Sequence, residues 1–208
     1  MNSLASSLLV ATANLGKLAE IKAILRGLNC EILSLKDVPQ GKDQVEESGL
    51  THEENALLKA RYFYYATGLM TLAEDSGIEV EALQGELGLY TRRWGAGEQA
   101  SDQEWLTYFL KRMADVADLE RGAKFVCSAA LILPNGTEHV FNGVSFGCIT
   151  KKAEAELLAG LPLSSVFRPN GFDRVYAALT KKEKGEVSHR GLAIGQVRDF
   201  LHKYLLAQ

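Results

Sequence analysis

The side chains best suited to chemistry in this 208-residue chain fall in four short clusters. Thr71-Leu72-Ala73-Glu74-Asp75-Ser76-Gly77-Ile78 drives an apolar run into two adjacent carboxylates, a hydroxyl and a glycine. That pattern suits a strand end presenting acids to a cleft, where α/β sheets place ligand-binding loops. Glu74 and Asp75 repel one another unless a cation or proton shares their charge. The same residues also suit an ordinary turn. Thr12-Ala13-Asn14-Leu15-Gly16-Lys17 precedes a helix, whose free backbone N–H groups and nearby lysine suit a phosphate. It lacks Walker A spacing. Glu47, beside Glu46, and Asp75 are hard oxygen donors that suit Mg²⁺, which takes one or two carboxylates and completes its shell with substrate phosphates. Lys184 and the run Ser188-His189-Arg190 add a cation, an imidazole that donates or accepts, and a guanidinium that forks onto oxygens. Singly, Lys17 and Glu46-Glu47 read equally as solvated surface charges, and His189 as capping decoration. Taken together, the clusters point to a Mg²⁺-dependent reaction of a nucleotide phosphate.

These clusters must be positioned by elements with their own signals. Leu8 to Ala11 reads as a buried strand, followed by a helix over 16–28 and a second strand over Cys30 to Leu35, a βαβ-type order. Thr51-His52-Glu53-Glu54 matches a capping box for a helix running to about Thr67, stopped by Gly68 before the strand that ends at Glu74 and Asp75. Ser101 caps a helix to about Asp115. Lys124 to Leu133 and Glu138 to Thr150, joined by Pro134-Asn135-Gly136, read as a hairpin in which Asn-Gly supplies positive φ. Lys151 to Gly160, rich in Ala and Leu, is expected to be helical. Phe167 to Tyr176 is irregular. A final helix capped by Ser188 carries Leu192, Ile194, Val197, Leu201 and Leu205 toward the core.

At 47% hydrophobic residues the chain can bury one substantial core, so 1–208 is expected to form a single domain, pinched into two lobes. A net charge of −3 and the lack of an aromatic-basic stripe argue against nucleic acid as a partner. The apolar start lacks the features of a signal peptide, and no apolar run is long enough for a membrane span. Cys30, Cys127 and Cys148 form neither a disulfide framework nor a zinc motif. Cytoplasm is the expected compartment.

Six motifs occur in order between about Leu8 and Leu201: Ala11 to Lys17, Glu47-Ser48-Gly49-Leu50-Thr51, Glu54-Asn55-Ala56, Lys59-Ala60, Glu74-Asp75-Ser76-Gly77 and Ser188-His189-Arg190-Gly191. They resemble the inosine triphosphate pyrophosphatase family, the dITP/XTP nucleoside triphosphate pyrophosphatases. The resemblance implies Mg²⁺-dependent hydrolysis of a nucleoside triphosphate to the monophosphate and pyrophosphate. It also implies an elongated α/β fold, a mixed sheet flanked by helices with a cleft between two lobes, and a homodimer. By position, Thr12, Asn14, Lys17, Lys59 and Arg93 would hold the triphosphate, and Glu47 and Asp75 the metal. Asp75, with Glu74 beside it, would orient and deprotonate water, and Ser76 would contact substrate. Lys184, His189 and Arg190 would line the nucleotide site, the last two meeting a 6-keto group.

One stretch departs from the family's glycine-rich loop ending in Phe-Gly-Tyr/Trp-Asp-Pro. Here the chain reads Phe167-Arg168-Pro169-Asn170-Gly171-Phe172-Asp173-Arg174 after an apolar Leu158 to Val166. Gly171 and Asp173 fit the pattern, and Phe172 stands in for its second aromatic as a base contact. Two further readings follow: a pyrophosphatase with shifted base preference, or a nucleotide-binding module with weak turnover.

Overall fold

The computed structural model describes residues 7–91, 94–97 and 99–207. Its centre is a six-stranded mixed sheet in the order β2-β1-β3-β4-β5-β6. β1 (Ser7–Val10) pairs in parallel with β2 (Glu31–Ser34) and β3 (Met70–Val80). β4 (Gly122–Ile132), β5 (Glu138–Ile149) and β6 (Phe167–Pro169) continue antiparallel from β3. The parallel pairs need crossovers. These are α1 (Leu15–Ile24) and α2 (His52–Thr67).

Helices cover both faces of the sheet. On one, Ile21 and Leu25, at and just past the end of α1, and Ala193, Ile194, Val197 and Leu201 of α5 (His189–Leu206) pack against Leu8, Val10, Leu72, Ala129 and Leu131. On the other, Ala56, Ala60 and Phe63 of α2 meet Leu9, Ala73, Ala130 and Ile132. A third cluster joins Trp105, Phe109 and Met113, from α3 (Asp102–Arg112) and its cap, to Ile78, Val80 and Phe167 at the far end of the sheet. The short α4 (Lys181–Val187) precedes α5.

Local signals set these boundaries well. The Thr51, Ser101 and Ser188 hydroxyls accept from the backbone N–H of Glu54, Glu104 and Gly191, each three residues on. Gly68 ends α2 at φ 69°. Four expectations change. β3 does not end at the acids but runs through them to Val80, because β4 pairs with it along its whole length. In the hairpin turn only Gly136 takes positive φ, and its N–H donates to Leu133 O. Residues 151–160 are not helical, since their backbone is drawn into long-range bonds: Glu154 N donates to Ser165 O, and Leu158 bridges Leu161. Leu192 faces outward, because the buried stripe of α5 runs through Arg190, Ala193, Val197 and Leu201.

Candidate active site

β1 accompanies β3 only as far as Leu72, and the chain then leaves the sheet at Ala11, whose N–H donates to Leu72 O. From Ala73 onward β3 is flanked on that side by loops rather than a strand, and a cleft of about 530 Å³ opens there. That size suits a small-molecule ligand. Asp75 lines this opening, and Glu74 lies buried next to it. Successive strand side chains point to opposite faces, so the two acids do not form a repelling pair.

Glu74 points to the α1/α5 side and is fully committed. Lys17 Nζ lies 2.7 Å from its Oε1, Arg190 Nη2 3.6 Å from Oε2, and the Cys127 thiol 3.5 Å from the same oxygen. Burial acts to raise its pKa, but Lys17, Arg190 and Lys59 outweigh that and hold it far below the carboxylate range. Ser76, two residues on and therefore on the same face, accepts from Arg190 Nη2 at 3.0 Å. Asp75 points to α2. Its Oδ2 takes His52 Nδ1 at 2.7 Å and Asn55 Nδ2 at 3.4 Å, while Oδ1 bonds to none of the described residues. Burial raises the Asp75 pKa less than His52 and Lys59 lower it.

Lys59, one further turn along α2, reaches Glu47 Oε1 at 2.5 Å and the Glu74 carbonyl at 3.1 Å. Burial would discharge it, yet Glu47 and Glu74 raise its pKa, so it is cationic. Lys59 thus pairs with Glu47 and bears on Asp75 through its charge, placing a cation near both acids. No group of three His, Cys, Asp or Glu side chains gathers among the described residues. Two carboxylates with a free Asp75 Oδ1 fit an oxygen-preferring ion that draws its remaining ligands from water and substrate.

At the other end, Glu20 of α1 joins Lys184 Nζ at 2.6 Å and Arg190 Nη1 at 2.5 Å. Lys184 also donates to Ser164 Oγ at 3.2 Å and lies over the Tyr176 ring. His189 stacks on Phe125 with centroids 4.5 Å apart, and Phe125 stacks in turn on Tyr176. His189 Nδ1 and Arg190 Nε are buried without a partner among the described residues, Arg190 Nε a donor and His189 Nδ1 a donor or acceptor according to its tautomer. Burial and the adjacent Arg190 hold the imidazole pKa well below its ordinary 6.5. A folded-state pKa below the unfolded one makes the unfolded chain bind the proton first, so stability is full above about pH 6.5 and declines below it. We expect the thermal midpoint to be level near neutrality and to fall below about pH 6.5. His189→Phe should flatten that decline until the depressed carboxylates Glu20 and Glu74, ordinarily near 4.5, add their own loss below that pH.

Of the other expected site residues, Thr12 and Asn14 line the cleft while also bonding within their own loop. Asn14 is occupied: its Oδ1 caps α1 at Lys17 N, 3.0 Å, and its Nδ2 donates to Gly160 O, 2.9 Å. Thr12 Oγ1 accepts from Asn14 N at 3.2 Å, at the cleft's edge. Gly171, Phe172 and Asp173 do not line the cleft. β6 pairs with the edge of β5, and Gly171, at φ 83°, turns the chain away, leaving the Asp173 side chain 93% exposed. The cleft wall is formed by Gly160-Leu161-Pro162-Leu163-Ser164, with Gly160 pinned between Asn14 and the Asp102 carboxylate of α3. Arg93 lies outside the described residues. Sequence reasoning missed Glu20, one helical turn from Lys17, and gave His52 and Asn55, though both stood in quoted motifs, no part beside Asp75.

Residues 8–200 match the profile of the Ham1 family. The chain is 43% identical to a dITP/XTP pyrophosphatase of Streptomyces coelicolor, over 89% of this chain and 92% of that one. It is 41% identical to one from Geobacter sulfurreducens, over 93% and 96%. Among solved structures, a HAM1 protein from Coxiella burnetii superposes with a TM-score of 0.80 at 32% identity, covering 95% of this chain and 99% of that one.

Proposed function

This chain belongs to the Ham1 family, and from that premise we infer that it is an acid-anhydride hydrolase that cleaves non-canonical purine nucleoside triphosphates, dITP and XTP among them, to the monophosphate and pyrophosphate. The observation that carries the reading is Asp75: a buried carboxylate lining the cleft, with one oxygen held by His52 and Asn55, the other bonded to none of the described residues, and the charges of Lys59 and Lys17 acting on it. In this reading Asp75 Oδ1 orients the attacking water and takes its proton. Lys17 and Lys59 meet the phosphate oxygens, steered by Glu74 and Glu47, and Thr12 lies beside them at the cleft's edge. Glu74, with no free oxygen, anchors Lys17 and Arg190 rather than sharing the proton. Glu47 and Asp75 would hold Mg²⁺, which when bound neutralises phosphoryl charge.

The base end is framed by Phe125, Tyr176, His189, Arg190, Lys184 and Ser164. The unpartnered His189 and Arg190 nitrogens suit a keto acceptor, and a 6-amino group leaves them unpaired. A second reading, shifted base preference, is favoured by the cleft wall, to which the apolar stretch contributes Leu161 and Leu163 where the family resemblance implies a glycine-rich loop. Pyrophosphate release measured over ITP, dITP, XTP, GTP and ATP, with and without Mg²⁺, separates the two. The first reading requires kcat/KM for ITP and XTP to exceed that for ATP by about 10² or more, and a flat profile across the panel supports the second. Release from none of the five, Mg²⁺ present, would leave a binding module. No described helix is long and apolar enough to cross a membrane. We propose a single-domain cytoplasmic protein that pairs as the homodimer the family resemblance implies, and sizing chromatography checks the pairing.

A further inference from the structure

His52 opens α2 directly after the Thr51 cap and brings its Nδ1 to 2.7 Å from Asp75 Oδ2. A carboxylate only accepts, so the proton sits on Nδ1 and His52 donates. The ring is seated from behind as well: Cε1 lies so close to the backbone of β3 that a Cβ on Gly77 would fall 2.9 Å from it. Asn55, one turn along α2, offers the same carboxylate oxygen a longer bond of 3.4 Å, while its own Oδ1 accepts from Gly49 N at 2.8 Å. His52 is not among the residues lining the cleft. It reaches the chemistry only through Asp75.

The consequence is orientational. Asp75 stands between two claims, His52 on the α2 side and the Lys59 ammonium toward Glu47. With the 2.7 Å bond in place, Oδ2 is fixed and Oδ1 faces the cleft. With it removed, the remaining donor from Asn55 is too distant to hold the carboxyl plane, and the carboxylate is free to turn toward Lys59.

We propose that His52 is a positioning residue for Asp75, its Nδ1–H clamping Oδ2 so that Oδ1 is presented to the cleft. The proposal rests on the reading of Asp75 as the base. His52→Phe keeps a ring of similar size without the donor, and His52→Asn restores an amide N–H close to the place of Nδ1. His52→Phe should lower kcat about tenfold with KM and thermal midpoint near the parent values, as a small misplacement of a reacting group does. His52→Asn should regain most of that loss. Unchanged kcat in His52→Phe overturns the proposal, and so does a His52→Asn variant no faster than His52→Phe. Asp75→Asn run beside them tells the two failures apart. If it retains turnover, the reading of Asp75 fails and takes the His52 clamp with it. If it is inactive while His52→Phe is fully active, only the clamp is lost.

Discussion

Asp75→Asn should reduce turnover by about 10² to 10⁴, the range that a positioned general base supplies, with the fold intact. An amide keeps the size and an acceptor oxygen for His52, so the α2 contacts survive. Lys59 keeps its partner in Glu47, and no cation is stranded. What is lost is the Asp75 carboxylate oxygen that bonds to none of the described residues. Pyrophosphate-release kinetics beside a thermal melt check both halves of this expectation. Parent-level kcat in a folded variant would remove Asp75 from the base role. A collapsed melt would make the residue structural.

Arg190→Leu should instead damage the fold itself. Arg190 is 3% exposed and ties Glu20, Ser76 and Glu74 together across α1, β3 and α5. Removing one partner of a buried ion pair costs about 3–5 kcal/mol, because the other charge stays buried and uncompensated. Lys17 still serves Glu74 and Lys184 still serves Glu20, so the lower part of that range is expected. Urea denaturation measures the loss. Adding Glu20→Gln should recover part of it, since neutralising the orphaned acid removes the penalty, and a double-mutant cycle isolates that coupling. A loss under about 1 kcal/mol, the scale of an exposed pair, would mean that water reaches Glu20 in the parent protein.

What was legible in the chain was whatever is written locally. The caps at Thr51, Ser101 and Ser188 bond to backbone groups three residues away, and the hairpin turn is contained in Pro134-Asn135-Gly136. The helix expected over 151–160 failed because composition cannot show that Ser165 will take the N–H of Glu154. The acids were found, but their relation was misread: adjacency in sequence suggested a coupled pair, whereas the two-residue repeat of a strand separates them to opposite faces. Glu20 and His52 were given no part in the site because each sits one helical turn or less from a capping motif that already accounted for its neighbours. The cleft wall at Gly160–Ser164 had no local signature, since Asn14 and Asp102, which pin it, lie 146 and 58 residues away.

Lys59 pairs with Glu47 and lends its charge to Asp75. The protein's own charges in the cleft balance, with Lys17, Lys59, Lys184 and Arg190 set against Glu20, Glu47, Glu74 and Asp75. A polyanion arriving alone gains Lys59 only by uncovering Glu47 and weakening the positive field at Asp75, and a divalent cation arriving alone between those acids meets that ammonium. Each makes room for the other's charge when both are present. On the proposed reading, cation and triphosphate are therefore cooperative ligands, and linkage requires the enhancement to be equal in both directions. The lysine serves the resting protein as an internal counter-ion, surrendered only to a matched pair.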